Sequence, residues 1–201
     1  MQRFVPFDGW AYSLLLGLYL GDGCVSSTGR SYQLRVVLDG LYPDVIDDCV
    51  MAITLSLRKE VNVYVRPRRT DRGVMVEAAY KHWPLVFPQH GPGRKHNRPI
   101  VLHGWQRAIV DRRPEPFLRG LIHSDGCRTV NRSKTKLPSG RVAEYAYPRY
   151  FFSNQSADIR GLFCEYCERL GIRWTQSNPR NISVSHRDSV ALLDSFVGPK
   201  Q

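Results

Sequence analysis

The chain has 201 residues with 42% hydrophobic side chains, enough for a core, which excludes wholesale disorder. Its longest apolar run, Leu14 to Leu20, is far too short to cross a bilayer, and the broken apolar stretch up to Phe7 does not read as a secretory signal. Lysine and arginine number 29 against 18 acids, a net charge of +11 that favours a polyanionic partner, while five cysteines speak for reduced thiols. The expectation is a cytoplasmic or organellar protein, not a secreted or membrane-bound one.

In chain order, Asp8 is the expected N-cap of a helix over Trp10–Leu20, whose Leu14, Leu15 and Leu18 recur at helical spacing. Tyr32 to Leu38 alternates Gln33, Arg35 and Val37 against Leu34, Val36 and Leu38, a half-buried strand. Pro43 opens a helix running to about Leu57, with Val45, Ile46, Cys49 and Ile53 on one stripe. Val61, Val63 and Val65 alternate with Asn62, Tyr64 and Arg66 in a further strand. Arg68–Arg72 turns, Val74–Ala79 returns, and Trp83–Phe87 is a short helix. His90 to Pro99, rich in glycine and proline, is a loop.

The second half repeats the series. Pro116 suits the first turn of a helix carrying Phe117, Leu118 and Leu121, followed by strands near Cys127–Asn131 and Tyr145–Phe152. A helix over Ser156–Leu170 starts behind an Asn154/Ser156 cap, and Cys164 and Cys167 on one face of it read as core thiols. Strands over Arg173–Gln176 and Asn181–Ser185 and a helix over Ser189–Val197 close the chain. No Walker-type phosphate loop, G-x-S-x-G or zinc-finger spacing is present.

Two stretches spell one pattern. Leu15-Leu16-Gly17-Leu18-Tyr19-Leu20-Gly21-Asp22-Gly23 and, 103 residues on, Leu118-Arg119-Gly120-Leu121-Ile122-His123-Ser124-Asp125-Gly126 both read L-x-G-L-x-x-x-D-G. A five-residue match has a chance of roughly one in a million per start position, so the two copies mark a duplicated unit. Mid-helix Gly17 and Gly120 each cost about 1 kcal/mol against alanine, which makes sense where another backbone comes close. The other copy is the natural partner, about a pseudo-two-fold axis. Gly23 and Gly126 suit the left-handed position that ends a helix. Asp22 and Asp125 then stand at the negative ends of two helices and near each other, an arrangement that makes sense when cations sit between them.

On these motifs the chain resembles the LAGLIDADG homing endonucleases in their two-motif, single-chain form, over nearly its whole length. The first copy matches at Leu15, Gly17, Leu18, Asp22 and Gly23; the second at Leu118, Gly120, Leu121, Ile122, Asp125 and Gly126. The resemblance implies an α+β fold: pseudo-two-fold duplicated αββαββα half-domains with paired central motif helices and two DNA-facing antiparallel sheets. The halves are expected over residues 1–90 and 104–201, with a basic linker over 91–103. It implies that Asp22 and Asp125 bind divalent metal, two or three Mg²⁺ ions for which Mn²⁺ or Ca²⁺ substitutes in crystals. The departures Leu16, Tyr19, Leu20, Arg119 and His123 fall at places that face away from the metal in the family pattern.

The expected activity is site-specific hydrolysis of both strands of a long asymmetric DNA target by a monomer. Family members often place a basic residue at the end of the fourth strand, a position that falls on Lys81 and, in the second half, on His186 or Arg187. The outer sheet faces carry Gln33, Arg35, Asn62, Tyr64, Arg66 and Arg68, then Tyr145, Tyr147, Arg149, Asn181 and Ser183, side chains suited to base edges in the major groove. Arg128, Arg132, Lys134, Lys136 and Arg141 are read as a long phosphate-gripping loop, and Arg94, Lys95, His96 and Arg98 in the linker as a second phosphate contact. The alternatives are a cleavage-inactive DNA-binding transcription regulator of the same fold and an RNA-splicing maturase.

Overall fold

The structure, a computed structural model, describes residues 4–57, 60–198 and 200. Asp8 accepts a 2.8 Å hydrogen bond from the Ala11 amide and opens α1 (Gly9–Asp22) at the expected N-cap. Ala11 to Leu20 are buried around the whole circumference of α1, more than a one-sided stripe requires. The helix is enclosed by its own half and by its counterpart in the other. β1 (Gly23–Ser27), β2 (Tyr32–Asp39), α2 (Pro43–Ser56), β3 (Val63–Pro67), β4 (Gly73–Ala79) and α3 (Trp83–Val86) complete the first half. A connector with a 3-10 turn at Lys95–Asn97 leads into α4 (Gly104–Val110). The order then recurs as α5 (Pro114–Asp125), β5 (Gly126–Lys136), β6 (Val142–Ser153), α6 (Ala157–Arg169), β7 (Thr175–Asn178), β8 (Asn181–Val184) and α7 (Arg187–Phe196).

Two antiparallel sheets share one strand order, β1-β2-β4-β3 and β5-β6-β8-β7, so the duplicated α+β architecture stands as expected. Leu34, Val36, Val76 and Ala78 in one sheet and Tyr150, Phe152, Ile182 and Val184 in the other are buried beneath the helices. β1 and α4 have no signal in the sequence: each is too short to show a period. Residues 128–141 are no loop. β5 and β6 pair from Gly126↔Phe152 to Lys136↔Val142, with a turn at Leu137–Arg141 in which Gly140 takes φ +83°.

The halves meet where α1 crosses α5. A Cβ on Gly17 would collide with the Phe117 carbonyl oxygen and stand 2.9 Å from Leu121 N. A Cβ on Gly120 would collide with the Leu14 carbonyl oxygen and stand 2.8 Å from Leu18 N. Leu14, Gly17 and Leu18 each precede Phe117, Gly120 and Leu121 by 103 residues, so the contact is reciprocal, as a two-fold axis demands. Gly23 and Gly126 differ from expectation: their φ of −86° and −117° are extended, because the chain passes from helix straight into strand. Their missing side chains serve space instead, a Cβ falling 2.6 Å from Tyr19 Cα and 2.8 Å from Ile122 Cα.

Two departures from the family signature carry contacts of their own, and the first ties the halves. Arg119 donates to Asp48 Oδ2 of α2 at 3.0 and 2.7 Å and to the Phe196 carbonyl at 3.1 Å. His123 Nε2 lies 3.0 Å from the Val197 carbonyl, and burial pushes its pKa down to about 4, so it packs as a neutral ring.

Gly120→Ala should cost about 3 kcal/mol, because the clash is with backbone that cannot rotate away. Gly161→Ala on the open side of α6, where a Cβ meets nothing within 4 Å, should stabilise by about 1 kcal/mol. Denaturant unfolding of both checks this; equal effects would mean the helix crossing is not tightly packed.

Candidate functional site

The crossing brings the last turns of α1 and α5 together. A Cβ on Gly21 would collide with the Ser124 side chain and lie 3.0 Å from Asp125 Oδ2. Burial, then the charge of Asp125, pushes Asp22 up to about 6 against the pull of Lys95 and Lys200. Burial raises Asp125 as well, opposed by a 2.6 Å hydrogen bond from Asn154 Nδ2 and by the same two lysines. Asn154 is aimed by its own Asx turn, its Oδ1 accepting from the Ser156 amide at 2.7 Å.

The cations beside the acids come from the connector and the C-terminus. Lys95 Nζ donates to the carbonyls of Tyr19, Gly21 and Gly23 at 2.5, 2.8 and 2.8 Å, satisfying the end of α1. Burial pulls it down to about 8 against the charges of Asp125 and Asp22. Lys200 Nζ donates to the Gly126 carbonyl at 2.6 Å, the residue that corresponds to Gly23. A cleft of about 510 Å³ opens here, lined by Gly21, Gly23, Asp125 and Asn154 and by Arg94, Lys95, His96, Arg98 and Arg180.

Among the described residues no three His, Cys, Asp or Glu side chains converge, so a divalent ion here would rest on Asp22, Asp125 and main-chain carbonyls. These hard oxygens suit Mg²⁺ or Mn²⁺. The fit has one rival, since Lys95 and Lys200 already present positive charge to the same helix ends.

The expected site residues separate into groups. On the first sheet Gln33, Arg35, Tyr64 and Arg66 share the outer face, with Asn62 and Arg68 just beyond the ends of β3. That face holds an acid: Glu77 accepts from Arg35 Nε at 2.8 Å and lies 3.6 Å from Arg66 Nε. On the second sheet Tyr145, Tyr147, Arg149, Asn181 and Ser183 share the outer face through their register, but Ser183 is buried there and is not open to a base edge as expected. Arg128, Arg132, Lys134 and Lys136 alternate with it and point to the other face of β5. Arg128 is spent on Asp194 of α7 at 2.7 and 2.9 Å, and Lys134 pairs with Glu144 at 2.5 Å.

In the linker, Arg98 donates to the carbonyls of Gln89, Pro92 and Gly93, while Arg94 is exposed at the rim of the cleft. Lys81 does not join the acids; it lines a separate depression with Arg30, Glu60, Asn62 and His82. His186 is engaged with Arg173. Lys95, read as a phosphate contact, takes the place by the acids for which Lys81 is the candidate in sequence. Lys200 and Asn154 carry no local signal for a site role; only Asn154's capping position marks it at all.

No family model and no curated protein matches this sequence. Solved structures match the fold. Full-length DUF199/WhiA from Thermatoga maritima superposes with a TM-score of 0.57 at 16% identity over 98% of this chain and 58% of that one, so this chain spans little more than half of that protein. A variant of the homing endonuclease I-DmoI, in complex with its target DNA and in the presence of manganese, gives a TM-score of 0.57 at 15% identity over 94% of each chain. The I-LtrWI LAGLIDADG homing endonuclease bound to target DNA gives 0.59 at 10% identity, covering 94% of this chain and 84% of its own. The fold of this chain is the LAGLIDADG endonuclease fold.

Because Asp22 titrates near 6 in the folded chain and at an ordinary carboxylate value when unfolded, the native state keeps a proton that the unfolded state has lost. Its ionisation therefore destabilises the fold as pH rises through 6, by up to about 3 kcal/mol, and costs nothing at or below the ordinary carboxylate range. Asp22→Asn should be more stable than the native chain in urea unfolding at pH 7.5, with the gap closing towards pH 4. A gap independent of pH would show that this carboxylate carries no burial or like-charge burden.

Proposed function

We propose that this protein is a site-specific, divalent-metal-dependent DNA endonuclease that works as a monomer and hydrolyses both strands of a long asymmetric double-stranded target. The observation that carries this reading is the placing of Asp22 and Asp125, both partly buried, side by side at the convergent ends of α1 and α5. An acid at a helix C-terminus next to another acid is unfavourable unless the site exists to hold cations. The DNA-bound state of I-DmoI and I-LtrWI supports the partner, and manganese with I-DmoI supports a divalent ion, which we take to be Mg²⁺ here.

When bound, the metal supplies a water of lowered pKa and screens the leaving oxygen. The residues of the chain prepare the place. Asp22 and Asp125 hold the ion or ions, each serving one strand, and Asn154 fixes the orientation of Asp125. Lys95, immobilised by three carbonyls, sets a positive charge where negative charge grows on the attacked phosphate. Gln33, Arg35, Tyr64 and Arg66 on one sheet and Tyr145, Tyr147, Arg149 and Asn181 on the other face base edges, while Arg94 and Arg180 at the rim of the cleft meet phosphates.

A second reading is favoured by the lysines. Lys95 and Lys200 match the charges of Asp22 and Asp125 one for one, so the centre is neutral without metal, as suits a protein that binds DNA and leaves it intact.

Plasmid carrying the DNA that flanks this gene should be linearised in Mg²⁺ or Mn²⁺ and left whole in EDTA. Asp22→Asn and Asp125→Asn should bind and not cut, or only nick. Binding should weaken steeply with salt, with a log–log slope of roughly −4 or beyond if five or more phosphates are neutralised. Tight binding without cleavage in either metal would establish the second reading, and a flat salt slope would remove DNA as the partner.

A further inference from the structure

The halves are not equal. In the first, β1 and β2 form only five pairs, Gly23↔Val36 to Ser27↔Tyr32, and β2 is held by β4 from Gln33 to Asp39. In the second, β6 meets β8 only from Tyr150 to Ser153. The seven pairs from Val130↔Pro148 to Lys136↔Val142 therefore form a two-stranded ribbon that leaves the sheet with both faces in solvent. Such a ribbon is marginally stable on its own and gains nothing from this body, which points to a partner that covers it.

Its two faces differ chemically. One carries uncharged polar and aromatic groups, among them Asn131, Tyr145 and Tyr147, with Tyr145 49% exposed and Asn131 Nδ2 donating to Tyr147 Oη at 2.9 Å. The other carries Arg132, Lys134 and Lys136, and the ribbon with its turn holds four cations against the single acid Glu144. A two-stranded ribbon fits the DNA major groove, where uncharged donors and acceptors meet base edges. The long arginine and lysine stems then reach around the strands to phosphates on the groove walls.

On the reading that double-stranded DNA is the partner, we infer that the β5–β6 ribbon is a base-reading arm present in the second half alone, which makes recognition lopsided. β5 and β6 form eleven pairs where β1 and β2 form five, and the six extra at about 3.4 Å each extend roughly 20 Å, or about six base pairs beyond what the first half covers. The outer base pairs on that flank are chosen by Asn131, Tyr145 and Tyr147.

The full chain would be used to select a duplex from a randomised pool, and its hydroxyl-radical footprint mapped. Protection should run about six base pairs further on one flank. Replacing residues 130–148 by Asn-Gly, which joins Thr129 to Arg149, should erase that extension and leave the centre and the other flank protected. Tyr145→Ala with Tyr147→Ala, both exposed and harmless to folding, should weaken binding at least tenfold on the selected duplex and less than twofold when the long flank is scrambled. A symmetric footprint, or tyrosine variants that lose affinity equally on both duplexes, would overturn the arm while leaving DNA binding intact. Failure of the full chain to select any duplex would overturn the DNA reading and the arm with it.

Discussion

Everything in this molecule follows from two glycines that let two helix backbones touch. Gly17 and Gly120 each sit where a single added carbon would strike a carbonyl oxygen of the opposing helix. The closeness has a direct cost, since glycine inside a helix is unfavourable by about 1 kcal/mol. The return is that α1 and α5 are held so tightly that their final turns converge. Each half needs the other to bury its motif helix, which is why α1 is apolar all the way round.

That convergence creates an electrostatic problem. Asp22 and Asp125 are brought partly out of water, near each other, at the negative ends of their helices, and both are pushed towards the protonated form. The chain answers with Lys95 and Lys200, which bind main-chain carbonyls at equivalent places, Gly23 and Gly126. The answer is not symmetric: Lys95 engages three carbonyls of the first motif, and Asn154 engages the carboxylate of the second. Two acids that share one ancestry of pattern thus sit in different surroundings.

The sheets show the same divergence from one plan. In the first, Arg35 and Arg66 gather around Glu77, so its outer face presents cations organised by a buried acid. In the second, the cations alternate to the back of β5, Arg128 is tied to Asp194, and the outer face of the ribbon is left to tyrosines and amides. Equal strand order with unequal side-chain chemistry is what lets a duplicated fold face two dissimilar surfaces.

Local pattern was enough for the duplication, the helix start at Asp8, the alternating strands β2 and β3, the pairing of the motif helices and the acids at their ends. Each rests on residues within a few positions of one another, or on one motif written twice. What joins residues far apart was decided only by tertiary structure. Cross-strand register placed Glu77 against Arg35, 42 residues away, and turned Arg132, Lys134 and Lys136 to the opposite face from Tyr145. A basic run carries no sign of which way it points, so residues 128–141 read as a loop when they form most of a hairpin. Lys81 ends a strand of the right rank but lies in its own depression, while Lys95 and Lys200 reach the acids from a connector and a terminus. Side chains that arrive from irregular segments have no period to announce them, and only the path of the folded chain brings them to the site.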